Sequence, residues 1–183
     1  MPPIAALLAD RVREFRRENR KPFLLALCGW ADTGKSTLAA SIADELRLRN
    51  ISADWISTDA FMQNRNTRNQ LGISGYNSLS IRGDELRQAL QAVSLGQAFD
   101  YYPYDNWSGT KAVTPRPVAA QEVIIVEGIH ALHPQIIDLL HLKIFIDADE
   151  ATLRQMRLDA NQSKRGMNLT QAGERIDHEF HEF

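Results

Sequence analysis

The sequence predicts an α/β fold built on a parallel, doubly wound sheet, and three observations carry that prediction. Short apolar runs alternate with amphipathic helical stretches, the pattern of parallel strands joined by helical crossovers. Two of the runs, residues 23–28 and 123–126, are apolar without interruption, as strands buried on both faces require. Between the first run and the helical stretch after it stands Gly29-Trp30-Ala31-Asp32-Thr33-Gly34-Lys35-Ser36, which matches G-x-x-x-x-G-K-S/T at every fixed position.

The composition agrees with a self-sufficient globular chain. Of 183 residues, 44% are hydrophobic and 24% charged, which argues against wholesale disorder. At about 150 residues per domain this is one domain, and a chain of that size buries roughly 70% of its unfolded surface without disulfides or structural metal. The formal charge of −2 gives no general electrostatic case for a nucleic-acid or membrane-surface partner. No apolar run approaches the roughly 18 residues of a membrane span. The single Cys28 cannot form an internal disulfide and fits a reducing, cytoplasmic setting.

Residues 1–21 read as an amphipathic helix rather than a secretory leader. Ile4, Leu7, Leu8, Val12 and Phe15 recur at helical spacing with Arg11, Arg13, Arg16 and Arg17 among them, and Pro2 and Pro3 fall near the first turn. The basic residues up to Lys21 read as a solvated face. A buried strand is expected at 23–28, then a helix at 36–49 carrying Leu38, Ile42 and Leu46, then a strand at 53–57 whose Trp55 is assigned to the core. Residues 62–80 show no period and read as a loop, and one of that length is usually functional or mobile. A helix is expected at 84–93 on Leu86, Leu90 and Val93. Residues 99–117 read as a loop, with Tyr101, Tyr102, Tyr104 and Trp107 forming either a stacking platform for a base or a hydrophobic lid over the core. The strand at 123–126 is followed by a short helix at 134–141, a strand at 143–146 and a helix at 150–158 capped by Asp149. Residues 159–168 are polar and basic, and Ile176, Phe180 and Phe183 mark a last helix, on which His178 and His181 read as surface residues.

The glycines of the loop let successive backbone N–H groups curl around a phosphate, and the helix start behind it adds unsatisfied donors and a positive dipole end. The nucleotide site is therefore assigned to Gly29, Trp30, Ala31, Asp32, Thr33, Gly34, Lys35, Ser36 and Thr37. Lys35 is expected to reach the β- and γ-phosphates and the Ser36 hydroxyl to bind Mg²⁺. Asp32 is an extra negative charge, expected to face solvent or a second substrate. The guanine motif N-K-x-D and the switch motif D-x-x-G are both missing from the sequence, which excludes the pattern of a switch GTPase. Asp59, at the end of the second strand, can orient an acceptor hydroxyl and take its proton. Glu127 ends the third apolar strand, where a carboxylate can hold Mg²⁺; Ser36, Glu127 and nearby Asp59 make up the expected metal site.

With these elements the sequence resembles the phosphoribulokinase/uridine kinase family of P-loop kinases, which includes the bacterial type I pantothenate kinases. The resemblance runs from about Pro22 to the end, on the loop, Thr58-Asp59-Ala60-Phe61, Tyr104-Asp105, Val126-Glu127-Gly128, and Arg157 through Lys164-Arg165-Gly166. It implies a three-layer P-loop kinase domain over 22–183 with a basic lid at about 159–169. It also implies that Asp59 is the base, that Glu127 helps bind Mg²⁺, that Tyr104 lines the acceptor pocket, and that Arg157 and Arg165, with Lys164, cover the phosphates. Ile73-Ser74-Gly75-Tyr76-Asn77 stands where uridine kinases carry phenylalanine-aspartate-histidine-proline, and Ser108-Gly109 where they carry a histidine. Tyr76 is accordingly placed with Tyr104 and Asp59 around an acceptor that is nucleoside-, pantothenate- or sugar-like. The implied reaction moves the γ-phosphoryl group of ATP, with Mg²⁺, to a hydroxyl of that small molecule, with no nucleic acid or membrane involved; homo-oligomerisation is left open. A nucleotide-binding protein or an NTP hydrolase without an acceptor is the alternative reading. The family continues past the last helix to another strand, so either the carboxyl end is incomplete or the sheet closes differently.

Overall fold

The computed structural model describes residues 2–182. In chain order the first elements are α1 (Pro2–Glu18), β1 (Phe23–Gly29), α2 (Lys35–Leu48), β2 (Ala53–Ser57), α3 (Arg65–Gln70) and α4 (Gly83–Ser94). Four short strands follow, β3 (Phe99–Tyr101), β4 (Tyr104–Asp105), β5 (Thr110–Lys111) and β6 (Arg116–Val118). The chain then forms β7 (Val123–Glu127), β8 (Leu142–Ile146), α5 (Glu150–Arg165) and α6 (Leu169–Glu182).

The central sheet has the order β2-β7-β1-β8 and is parallel throughout, as the alternation of apolar runs and helical stretches predicts. β1 and β7 are buried at every residue because each has a strand on both sides and helices or loops over both faces. β8 lies at the edge and alternates between half-buried and exposed positions. Side chains from α1 and α2, including Leu8, Val12, Ile42 and Leu46, pack with Leu25, Leu27 and Ile125 on one face. Leu86, Leu90 and Val93 of α4 pack with Leu24, Ala26, Ile124 and Val126 on the other, which gives the three layers. In α1 the buried stripe is Ala5, Leu8, Ala9 and Val12, so Leu7 falls outside it and is 62% exposed.

Several expectations change. The loop expected at 62–80 contains α3 and a 3-10 turn, Ser78–Ser80, and the stretch 99–117 folds into two antiparallel ribbons, β3 with β6 and β4 with β5. The helix expected at 134–141 is only a 3-10 turn, Ile137–Leu139. The Asp149 carboxylate accepts from the Thr152 amide at 2.9 Å and caps α5 as expected, but the helix does not stop at residue 158. It runs to Arg165 and ends on Gly166 in the left-handed region (φ 65°), so most of the expected lid is helix. Trp55 packs against the core but is only half-buried, and the Arg116 guanidinium lies 4.4 Å over its ring. Phe183 lies outside the described residues.

Candidate active site

Pairing register brings the predicted motifs to one end of the sheet. Glu127 stands level with Leu27 on one side and Ser57 on the other, two residues short of the loop and of Asp59 respectively. The loop leaves β1 through Gly29 at φ 149°, where an added Cβ would sit 2.5 Å from the Ile146 carbonyl oxygen of β8. Gly34, left-handed at φ 80°, precedes α2 without any side-chain cap, so the first turn of the helix presents its amides to the loop's interior.

Lys35 is buried, with its ammonium turned onto the Trp30 carbonyl and 3.4 Å from Thr33 Oγ1. Burial pushes its pKa down, against the opposing pull of Glu127 and Asp59. The Ser36 hydroxyl donates to Glu127 Oε1 at 3.1 Å. Burial raises the Glu127 pKa, the Ser57 and Ser36 hydroxyls work against that, and the Asp59 carboxylate adds to it. A hydroxyl and a carboxylate in contact, with a second carboxylate close by, fit Mg²⁺, which takes few protein oxygens and completes its octahedron with water and phosphate.

Gly128 fixes the spacing of this group. It has φ 138°, and an added Cβ would lie 1.9 Å from Thr58 Oγ1, a buried hydroxyl without a hydrogen-bond partner. Gly128→Ala should therefore push the turn carrying Asp59 away from Glu127, lowering both the melting temperature and activity. Adding Thr58→Ala should recover part of both; no recovery would show that the strain comes from elsewhere.

Asp32 lines the cavity but does not face open solvent. It sits left-handed at φ 63°, its carboxylate only 10% exposed, and accepts from Arg157 at 2.5 Å, Lys164 at 3.1 Å and Arg165 at 3.3 Å. Burial opposes its charge, but Arg157 and Arg165 overcome this and hold its pKa below the ordinary range. Arg157 is also gripped by both oxygens of Glu179 on α6, at 2.6 Å each. The residues expected to cover the phosphates are thus gathered at the loop, and their charge is met by Asp32 and Glu179.

Tyr76 lines the cavity, and its hydroxyl accepts from the Ala31 amide at 3.2 Å, bracing the loop. Burial raises its pKa to about 12. The Trp30 ring is stacked on Phe180 at 4.3 Å and tilted against Tyr76 at 5.7 Å, tying the loop to α6. Tyr104, expected to line the acceptor pocket, instead stands behind Arg68, accepting from it at 2.8 Å and donating to the Gly109 carbonyl at 2.9 Å. Tyr101, Tyr102, Tyr104 and Trp107 together form neither a platform nor a lid. Tyr101 is core, Tyr102 is exposed, and Trp107 stands 77% exposed on the cavity rim. Arg65, Arg68 and Glu179 were not among the expected site residues; all three line the same cavity of about 830 Å³ as Lys35, Ser36, Asp59 and Glu127.

Comparison with known proteins agrees with this arrangement. The profile of the Phosphoribulokinase / Uridine kinase family matches residues 24–183. Uridine kinase-like protein 3 of Arabidopsis thaliana is 30% identical over 157 residues, covering 83% of this chain and 33% of its own. Uridine kinase of Vibrio cholerae is 27% identical over 158 residues, covering 82% of this chain and 74% of its own. The chain spans about a third of the length of the Arabidopsis relatives it matches. Among solved structures, a candidate fructose transport system kinase from Silicibacter sp. TM1040 superposes with a TM-score of 0.83 at 20% identity, over 96% of this chain and 89% of that one. D-glycerate 3-kinase from Cryptococcus neoformans superposes with a TM-score of 0.73 at 14% identity, over 96% and 84% respectively. These likenesses establish the P-loop kinase fold. With the family profile matched from β1 onward, the chain belongs to the phosphoribulokinase/uridine kinase family.

Proposed function

We propose that this protein is an ATP- and Mg²⁺-dependent kinase that transfers the γ-phosphoryl group to a hydroxyl of a small metabolite in the cytoplasm. The observation that carries this reading is the contact of Ser36 with Glu127 at 3.1 Å, in one cavity with Lys35 and Asp59. That cavity joins a phosphate cradle to a carboxylate and leaves room beside both for a second molecule.

The loop amides and Lys35 hold the triphosphate, with Lys35 leaving the Trp30 carbonyl for phosphate oxygens. Ser36 and Glu127 would hold Mg²⁺, which neutralises charge on the β- and γ-oxygens when bound. Asp59 accepts the proton of the acceptor hydroxyl as the new O–P bond forms and the bond to ADP breaks. Lys164 and Arg165 can exchange Asp32 for phosphate oxygens, closing the end of α5 over the transfer and excluding water.

A coupled ADP-release assay over nucleosides, pantothenate, sugars and sugar phosphates, with a no-acceptor control, tests the reading. ADP formed only with an acceptor supports it. ADP without acceptor would make the protein a hydrolase, and ATP binding with no ADP from any acceptor would make it a nucleotide-binding protein. Lys35→Ala should weaken both ATP affinity, read by calorimetry, and the rate.

A further inference from the structure

The cavity is electrically divided. On the phosphate side Arg157 and Arg175 pair with Glu179, Arg165 and Lys164 pair with Asp32, and Lys35, although its ammonium rests on the Trp30 carbonyl, feels the charges of Glu127 and Asp59. Arg65 and Arg68, three residues apart on α3, line the same cavity and have no such neutralisation. No carboxylate of the described residues lies within the 4.0 Å of an ion pair from either guanidinium.

Arg68 is the sharper case. It is only 9% exposed, and the bonds recorded for its guanidinium go to neutral groups, the Gln63 carbonyl at 3.2 Å and the Tyr104 hydroxyl at 2.8 Å. Arg65 donates to the carbonyls of Asn106 at 2.5 Å and Trp107 at 3.2 Å. Asp105 acts on Arg65 only from a distance, because its own oxygens accept the amides of Trp107 and Ser108 at 2.8 and 3.2 Å. An arginine stays charged at any working pH, and a buried charge without a partner is costly. Carbonyls and a phenol orient these two forks without cancelling their charge. Such an arrangement suits a group that arrives with its own negative charge, which the planar guanidinium can grip through two parallel hydrogen bonds.

We infer that the acceptor carries an anionic group, a carboxylate or a phosphate, and that Arg68 with Arg65 binds it. The identification of this anion as the acceptor's rests on the kinase reading above. Tyr104 is then a positioning residue: it holds Arg68 from behind and touches no substrate.

The test uses acceptor pairs that differ in charge: D-glycerate and glycerol, pantothenate and pantothenyl alcohol, ribulose 5-phosphate and ribulose. Binding to the full chain is measured by calorimetry, and ADP formation is measured separately. In at least one pair the anionic member should bind about 10- to 100-fold tighter, the range of a hydrogen bond to a charged group. Carboxylate and phosphate pairs then tell which anion is read. Arg68→Gln should abolish most of that preference, and Arg68→Lys should restore part of it. Arg49→Gln, at the far end of α2, is the control for charge. Arg65→Gln, on a more exposed side chain, serves if Arg68→Gln does not fold, and should reduce the preference in the same direction. Equal binding within every pair, tighter binding of the neutral members, or a preference that survives Arg68→Gln (Arg65→Gln where that protein does not fold) would overturn the inference. ADP formed best with a neutral acceptor would overturn it while leaving the kinase reading intact. A charge preference in binding with no ADP from any acceptor would do the reverse.

Discussion

Asp59→Asn should lower turnover by about 10²- to 10⁴-fold, the usual worth of a general base, while ATP affinity stays close to that of the native protein. Asparagine keeps the size of the side chain and loses its capacity to take a proton. The position makes the substitution informative. Asp59 sits in the 3-10 turn Thr58–Phe61 at the end of β2, with its amide donating to Ser57 Oγ at 3.4 Å, so the backbone is held independently of the carboxylate. Asp59 also stands close enough to Glu127 to raise its pKa, so a metal role is an alternative to the role of base. The two are separable: loss of a base lowers kcat at saturating Mg²⁺, whereas loss of a metal contact raises the Mg²⁺ concentration needed for half-maximal rate. Unchanged turnover together with an unchanged Mg²⁺ requirement removes Asp59 from both roles.

The largest effect on stability should come from Arg157→Ala, expected to cost about 3–5 kcal/mol, as removal of one partner of a buried ion pair does. The Arg157 side chain is 6% exposed and those of Glu179 and Asp32 are 4% and 10% exposed, so both carboxylates would be left with water largely excluded. Burial works against both carboxylates, and Arg157 helps hold their pKa values below the ordinary 3.8 and 4.5. A depressed carboxylate contributes stability that is present above its unfolded pKa and fades as pH falls through its folded one. The native protein should therefore lose this contribution below about pH 4, and the gap in melting temperature between it and Arg157→Ala should narrow on acidification. A gap that stays constant on acidification would mean that Arg157 stabilises by packing rather than by charge.

Much of the fold is legible along the sequence because the residues that decide it are neighbours there. Unbroken apolar runs at 23–28 and 123–126 give strands enclosed on both sides, and the loop motif fixes what lies between β1 and α2. Ser36, Asp59 and Glu127 are legible for the same reason, each closing or following a strand that the pattern already marks. The helical end of α5 is not, because its buried face beyond residue 158 carries Ala160 and Asn161 in a polar, basic stretch. Nor are the partners of Asp32, which lie 125 to 133 residues further along the chain. Arg68 escapes for another reason. Its significance is the lack of an acid near it, a property of the folded surroundings that no local pattern expresses.

The placing of β7 between β1 and β2 has a consequence for how the molecule comes into being. Phe23 and Ala53 both pair with Val123, so the two strands that carry the loop and Asp59 are joined only through a strand made much later. Such long-range pairing slows folding, since the intervening chain must be ordered before any contact repays it. On the ribosome, β1 and β2 should remain unpaired until residue 127 has emerged. The phosphate cradle should then appear in a single late step, and nucleotide added to nascent chains should protect only those that already contain β7.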